Sequence, residues 1–326
     1  MARWLKPLVT LALYALVFYW TDASAIAGEL ARVKLEPVVF GVLLYMAGQA
    51  VSSWKWQILL QPVRLDVPFL KVLAFYFTGM FFNLFLPTIV GGDAVKAVLL
   101  ARETGAPARA TMSVFMERNV GLCALLVVAI GAAELAPPVE LFGMSLRVLT
   151  WLLAAGYGAA NAVLMSPLVY RIVDRLIAAT PLAGVRHRAD SLYQAIVPYK
   201  NARGRILAAV GLSFIFQGIV IAVVFLNARA LALDIPVAAV AVFVPLISLA
   251  GMVPVSVNGL GVREALYILL FGRLGVPVET AVSLALLYLA VTFLASLPGG
   301  LAYLMQPARA RELTANGAPR IPDTPS

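Results

Sequence analysis

Reactive and metal-binding side chains are nearly missing from this chain. It has one histidine, His187, in a basic loop, and one cysteine, Cys123, in an apolar run. A lone thiol forms no internal disulfide and reads as a small packing residue. No His, Cys and carboxylate cluster has metal-ligand spacing, and no nucleophile is matched to a histidine. This argues against a metalloenzyme or a soluble-type hydrolase, and neither metal nor cofactor is expected. Charge is scarce as well: Asp, Glu, Lys and Arg make up 13% of 326 residues, where a soluble domain carries about 25%. No polar block is long enough to be a separate soluble domain. Nucleic-acid motifs and aromatic–basic platforms are lacking, so the net charge of +9 is not read as a nucleic-acid footprint.

What the chain has in excess is apolar surface. Hydrophobic residues make up 62% of it and its mean hydropathy is +0.93. They fall in runs of about 20 residues, the length that crosses a bilayer as a helix. Full-length runs lie near 7–24, 38–60, 109–133, 145–166, 206–228 and 279–304. Two further regions, 68–105 and 237–275, are apolar but broken by proline, glycine and charge. The start carries a basic stretch, an apolar core and an Ala-Ser-Ala tripeptide resembling a signal-peptidase site. The aromatic Phe18-Tyr19-Trp20 belt favours a retained first helix instead. Trp54 and Trp56 around Lys55 read as an anchor at the cytoplasmic interface.

Loop charges set the topology. Arg3 and Lys6 precede the first run, Arg64 and Lys71 follow the second, and seven Lys and Arg residues crowd 167–205. Loop 134–144 has Glu134 and Glu140 and no basic residue. Basic loops stay cytoplasmic. All loops obey this rule if 68–105 enters from the cytoplasm and returns, and 237–275 does the same from outside. The expected fold is therefore an all-α polytopic membrane protein with six full spans and two re-entrant broken-helix hairpins. Residues 1–306 form one transmembrane domain and 307–326 a disordered cytoplasmic tail, with both termini cytoplasmic. The hairpins also align: Pro87 with Pro254, Gly92 with Gly259, Lys96 with Arg263. Weak self-similarity in opposite orientation is the mark of an inverted repeat.

The breaks are where chemistry is expected. Irregular backbone is tolerated in a bilayer only where protein buries it or a cavity adjoins it. Glycine supplies the dihedrals and proline ends the entering helix. A returning half-helix then presents free N–H groups and a positive dipole end inside the membrane, which suits an anion. The candidate binding set is Asn83, Gly91, Gly92, Asp93 and Lys96 at the first break, and Ser256, Asn258, Gly259, Gly261, Arg263 and Glu264 at the second. Glu117 and Arg118 join them from the middle of 109–133. Pro87, Pro254, Pro298 and Gly299 are candidate hinges, although for the last two close helix packing is the first reading and a hinge the second. A mid-bilayer charge costs roughly 2.5–3.5 kcal/mol, so the six ionisable residues would cost roughly 15–20 kcal/mol unpaired. Three acids and three bases balance. They either pin the hairpins to one another or line a headgroup cavity with spare donors. Asp93 could also act as a helix cap. The Gly-x-Gly of "SVNGLGVREA" follows a membrane helix and not a strand, so it is no dinucleotide fingerprint.

The ordered set "FFNLFLPTIVGGDAVKAVLL", "SVFMERNVGL", "PVSVNGLGVREA" and "SLPGGLAYL" resembles the membrane domain of the lysylphosphatidylglycerol synthase/flippase family. The resemblance covers about 300 residues. Where the family often has Asp-Arg in the middle span, this chain has Glu117-Arg118. The family's large members carry a soluble aminoacyl-transfer domain; without one, lipid aminoacylation is not expected. What the resemblance implies is headgroup translocation between leaflets, and the substrate does not carry over with it. The anion site read from the breaks gives the expected cargo, a phosphate-bearing amphiphile of a bacterial inner membrane: an anionic or modified phospholipid, or a polyprenyl-phosphate-linked lipid. The alternative is a non-transporting partner that scaffolds a separate lipid- or glycan-modifying enzyme. An intramembrane transferase is a weaker third reading, because no nucleophile–base set is visible.

Overall fold

The computed structural model describes residues 21–85, 91–135, 140–141, 143–166, 194–252 and 259–305, together with Thr10, Tyr19 and Ser256. Pro87, Pro254, Asn258, most of the expected first span, most of loop 167–205 and the tail lie outside the described residues.

Helix α1 (Ala23–Ala31) starts behind Asp22, whose carboxylate accepts the Ser24 N–H at 2.8 Å. The Ala-Ser-Ala tripeptide is thus the first turn of a capped helix. After it come α2 (Leu35–Leu60), α3 (Phe69–Phe85), α4 (Gly91–Thr104), α5 (Pro107–Leu135) and α6 (Leu146–Met165). Then follow α7 (Arg203–Ala230), α8 (Val237–Gly251), α9 (Val262–Gly272) and α10 (Val278–Leu304). A small ribbon pairs β1 (Glu140–Leu141) antiparallel with β2 (Met144–Ser145) ahead of α6. Helices α2, α5, α7 and α10 are each long and apolar enough to cross a membrane. The chain is a polytopic helical membrane protein.

Small residues let the long helices close on one another, as lipid supplies no hydrophobic drive between them. Gly41 of α2 faces Val223 and Asn227 of α7, and Gly48 faces Ile219 and Phe216. The two helices therefore run antiparallel, and a Cβ on Gly48 would meet the Ile219 side chain at 2.9 Å. Their ends gather with those of α5 at two poles. At one, Val63, Leu65, Ala106, Ala110, Ile196 and Tyr199 pack together, and the Tyr199 hydroxyl donates to the Leu59 carbonyl at 2.8 Å. At the other, Ala133, Leu146, Ala228 and Ile235 pack together, and the Lys34 N–H donates to the Ala230 carbonyl.

Helices α3 and α4 form an antiparallel hairpin. Lys71 pairs with Glu103 at 2.6 Å near its mouth, and the Gly92 N–H donates to Asn83 Oδ1 at 3.3 Å near its tip. Helices α8 and α9 form another: Phe243 and Phe271 meet edge to face at 5.2 Å, and Gly259 lies against Gly251. The first mouth joins the pole of Val63 and Ala106, the second the pole of Ala133 and Ile235.

The close packing expected at Pro298 is seen here. Helix α10 runs without a break through Pro298. Proline removes one intrahelical donor, but neighbours hold the helix. Gly299 lies flat on α3, where a Cβ would overlap the Phe77 carbonyl, and Thr78 donates its hydroxyl to the Gly299 carbonyl at 3.4 Å. Pro298-Gly299 is thus a packing site in this structure.

Candidate functional site

Asp93 and Lys96 lie three residues apart on α4 and so face the same way. Glu117 and Arg118 are adjacent on α5 and diverge by about 100°. With Lys55 of α2 they form one continuous chain of charge. Lys55 is 2.6 Å from Glu117, Glu117 is 3.1 Å from Lys96, Lys96 is 2.9 Å from Asp93, and Asp93 is 2.5 Å from Arg118. Lys55, Lys96, Glu117 and Asp93 are buried, whereas the Arg118 side chain is 46% exposed. The Lys96 ammonium sits 4.3 Å from the Tyr76 ring centroid, and the Tyr76 hydroxyl donates to Glu117 at 3.3 Å. Every carboxylate faces a cation and every cation a carboxylate, so the charged forms support each other.

These groups line a cavity of about 250 Å³. Hairpin α3/α4 contributes Gly79, Asn83, Gly92, Asp93 and Lys96 to its wall, α2 contributes Tyr45 and Gln49, and α7 contributes Ser213 and Gln217. A second cavity of about 190 Å³ adjoins it, with Arg118, Ser248, Met252 and Tyr288 common to both walls. Gly259, Arg263 and Tyr267 belong to the second cavity alone.

At the second cavity, backbone geometry selects glycine. Gly259 and Gly261 have φ of 71° and 83°, a region that side chains with a Cβ rarely adopt. Glu264, wholly buried, reaches back to accept the Gly261 N–H at 2.6 Å, which caps α9 from its first turn. Its other oxygen accepts from Arg263 at 3.1 Å. The Arg263 guanidinium lies 6.0 Å from the Tyr288 ring, and its Nε is buried with no hydrogen-bond partner among the described residues.

The predicted residues therefore divide. Asn83, Gly92, Asp93, Lys96, Glu117 and Arg118 line the first cavity; Gly259 and Arg263 line the second. Gly91, Ser256, Gly261 and Glu264 line neither. Lys96 and Arg263 do not meet across one shared space. Arg118 is the cation common to both cavities, because Lys96 is spent on two carboxylates.

The expected balance of three acids and three bases also changes, because Lys55 joins the cluster. Only Trp54 of the anchor is exposed, at 53%, while Lys55 and Trp56 are interior and the Trp56 indole donates to Ser113 at 3.2 Å. Helix α2 continues to Leu60, so these residues lie within the helix and not in a loop beyond it. The first cluster holds three cations and two carboxylates, a net charge of +1, beside a neutral Arg263–Glu264 pair. Gln49, Ser52, Ser53 and Lys55, all buried, were the available signal. Polar residues at near-helical spacing in an apolar span face the protein interior. Ser213 and Gln217 on α7 carry the same signature at four-residue spacing.

Apolar helices enclosing a charged internal cavity define this chain as a polytopic membrane protein with a polar site among its helices. The profile of the lysylphosphatidylglycerol synthase TM region matches residues 3–299, and the chain belongs to that family. It is also similar to a UPF0104 membrane protein of Pyrococcus horikoshii, 22% identical over 130 residues, a match that covers 39% of each chain.

Proposed function

We propose that the protein is a lipid flippase that carries the anionic headgroup of a membrane lipid between leaflets and performs no covalent chemistry. The observation that carries this reading is the pair of adjoining cavities, set among apolar helices and lined by a cluster with one uncompensated positive charge. A purely structural ion-pair network needs neither open volume nor excess cation. A phosphate-bearing headgroup matches both, and acyl chains stay in lipid outside.

In this proposal α3/α4 and α8/α9 are re-entrant hairpins that enter from opposite faces as an inverted repeat, beside six full spans. Their mouths at opposite poles support it. Both termini face the cytoplasm of a bacterial inner membrane, as the basic loops require. Alternating access then exposes the cavities to one leaflet at a time.

The test is headgroup translocation in liposomes with matched amounts of folded protein. Arg118→Ala and Arg263→Ala are expected to slow it about tenfold or more, a charge-assisted contact being worth about 1.5–3 kcal/mol. Arg263→Lys keeps the charge but loses the planar fork, so its loss should be smaller. Wild-type rates in both alanine variants would remove these cations from a transport path and favour a scaffold role.

A further inference from the structure

We propose that the cavity selects headgroups by charge number: it takes a phosphodiester monoanion in preference to a phosphomonoester dianion. This deepens the translocation reading and rests on it. The five linked side chains of α2, α4 and α5 carry three positive and two negative charges. The adjoining Arg263 is already balanced by Glu264 at 3.1 Å. Among the described residues that line the two cavities, no other Lys, Arg, Asp or Glu is found. Among the described residues the site therefore carries one unit of uncompensated charge.

Self-energy in a low-dielectric space rises with the square of the charge. A monoanion takes the site from +1 to zero and removes that penalty. A dianion takes it from +1 to −1 and removes nothing, and its own dehydration costs about four times as much by Born scaling. Geometry points to the same place. Arg118 is the half-exposed member of the cluster and lines both cavities, with Lys55, Lys96 and Glu117 buried behind it. One guanidinium fork facing open space matches one phosphate with two free oxygens. Asp93 and Glu117 are thus specificity residues: each cancels a cation that a second phosphate charge would otherwise use.

The experiment is calorimetric titration of the purified full chain with short-chain lipids. The probes are dihexanoyl phosphatidylglycerol, with one charge, and dihexanoyl phosphatidic acid at about pH 8.5, above its second phosphate ionisation near pH 6. The wild type is expected to bind the first about tenfold tighter. Asp93→Asn and Glu117→Gln each raise the site to +2 and should move the ratio at least about fivefold toward the dianion. Lys55→Met lowers it to zero and should weaken the monoanion most. If one carboxamide variant does not fold, the other reads the same ratio. Equal or tighter dianion binding by the wild type overturns the proposal, as does an unchanged ratio in folded carboxamide variants. Those results leave transport standing if liposome translocation persists. Binding of neither lipid by folded protein overturns the flippase reading itself.

Discussion

Lys55→Met separates an interior role for this lysine from an interfacial one. An exposed lysine pair is worth about 0–1 kcal/mol. Lys55 lies 2.6 Å from Glu117, and both are within a few per cent of full burial. At an effective dielectric of about 20, that separation corresponds to about 6 kcal/mol of attraction, and the 3.1 Å Glu117–Lys96 pair to about 5 kcal/mol. Removing Lys55 leaves Glu117 with its second partner and relieves repulsion between the two lysines, so much of the gross term is offset. The expected cost is about 3 kcal/mol, the low end for truncating one side of a buried pair. Lys55→Met/Glu117→Gln removes both partners and should be non-additive by about 1–3 kcal/mol. The assay is unfolding in mixed micelles with increasing dodecyl sulfate, followed by helical circular dichroism. A Lys55→Met midpoint equal to the wild type, with additive energies in the cycle, would refute the buried linkage.

Two further outcomes are expected. Gly92→Leu and Gly259→Leu should abolish translocation, because a Cβ at Gly92 would overlap the Gly79 carbonyl and Gly259 has a φ of 71°; Gly300→Ala, whose Cβ would come nearest to the Phe81 ring and to no backbone closer than that, should retain it. In a chain with Cys123 replaced, Lys71→Cys and Asp234→Cys, both exposed, should react with membrane-impermeant reagents from opposite faces of the bilayer. Labelling of both from one face would refute opposed hairpin mouths.

Four of the expected spans were legible in the sequence because length and apolarity are local properties. Helix α2 begins within three residues of the expected 38, and α5 within two of 109. The charged residues of the site were legible for a related reason: Asp93, Lys96, Glu117 and Arg118 stand out in apolar runs. Their partners were not. Lys55 lies five residues from the end of α2, a position compatible with snorkelling until the helix is seen to put it on its inner face. Pro298 left two roles open because a broken helix and a tightly packed one share the Pro-Gly-Gly signature. The distinction lies in α3, more than 200 residues away in sequence. Tyr45 and Tyr288 look like ordinary aromatics, and only folding brings their rings to 6.2 Å at the cavity wall.

The closeness of Gly79 to Gly92 has a mechanical consequence. The Lys96 stem lies in the notch that Gly79 leaves, where a Cβ would meet Lys96 Cγ at 2.6 Å. Sliding α3 along α4 by one turn, about 5.4 Å, would bring Phe75 or Asn83 into that notch and eject the lysine. The two arms are therefore locked in register like a ratchet on its pawl. Hairpin α3/α4 can only tilt or shift as one stiff lever, with Lys96 and Asp93 carried at a fixed distance from its tip.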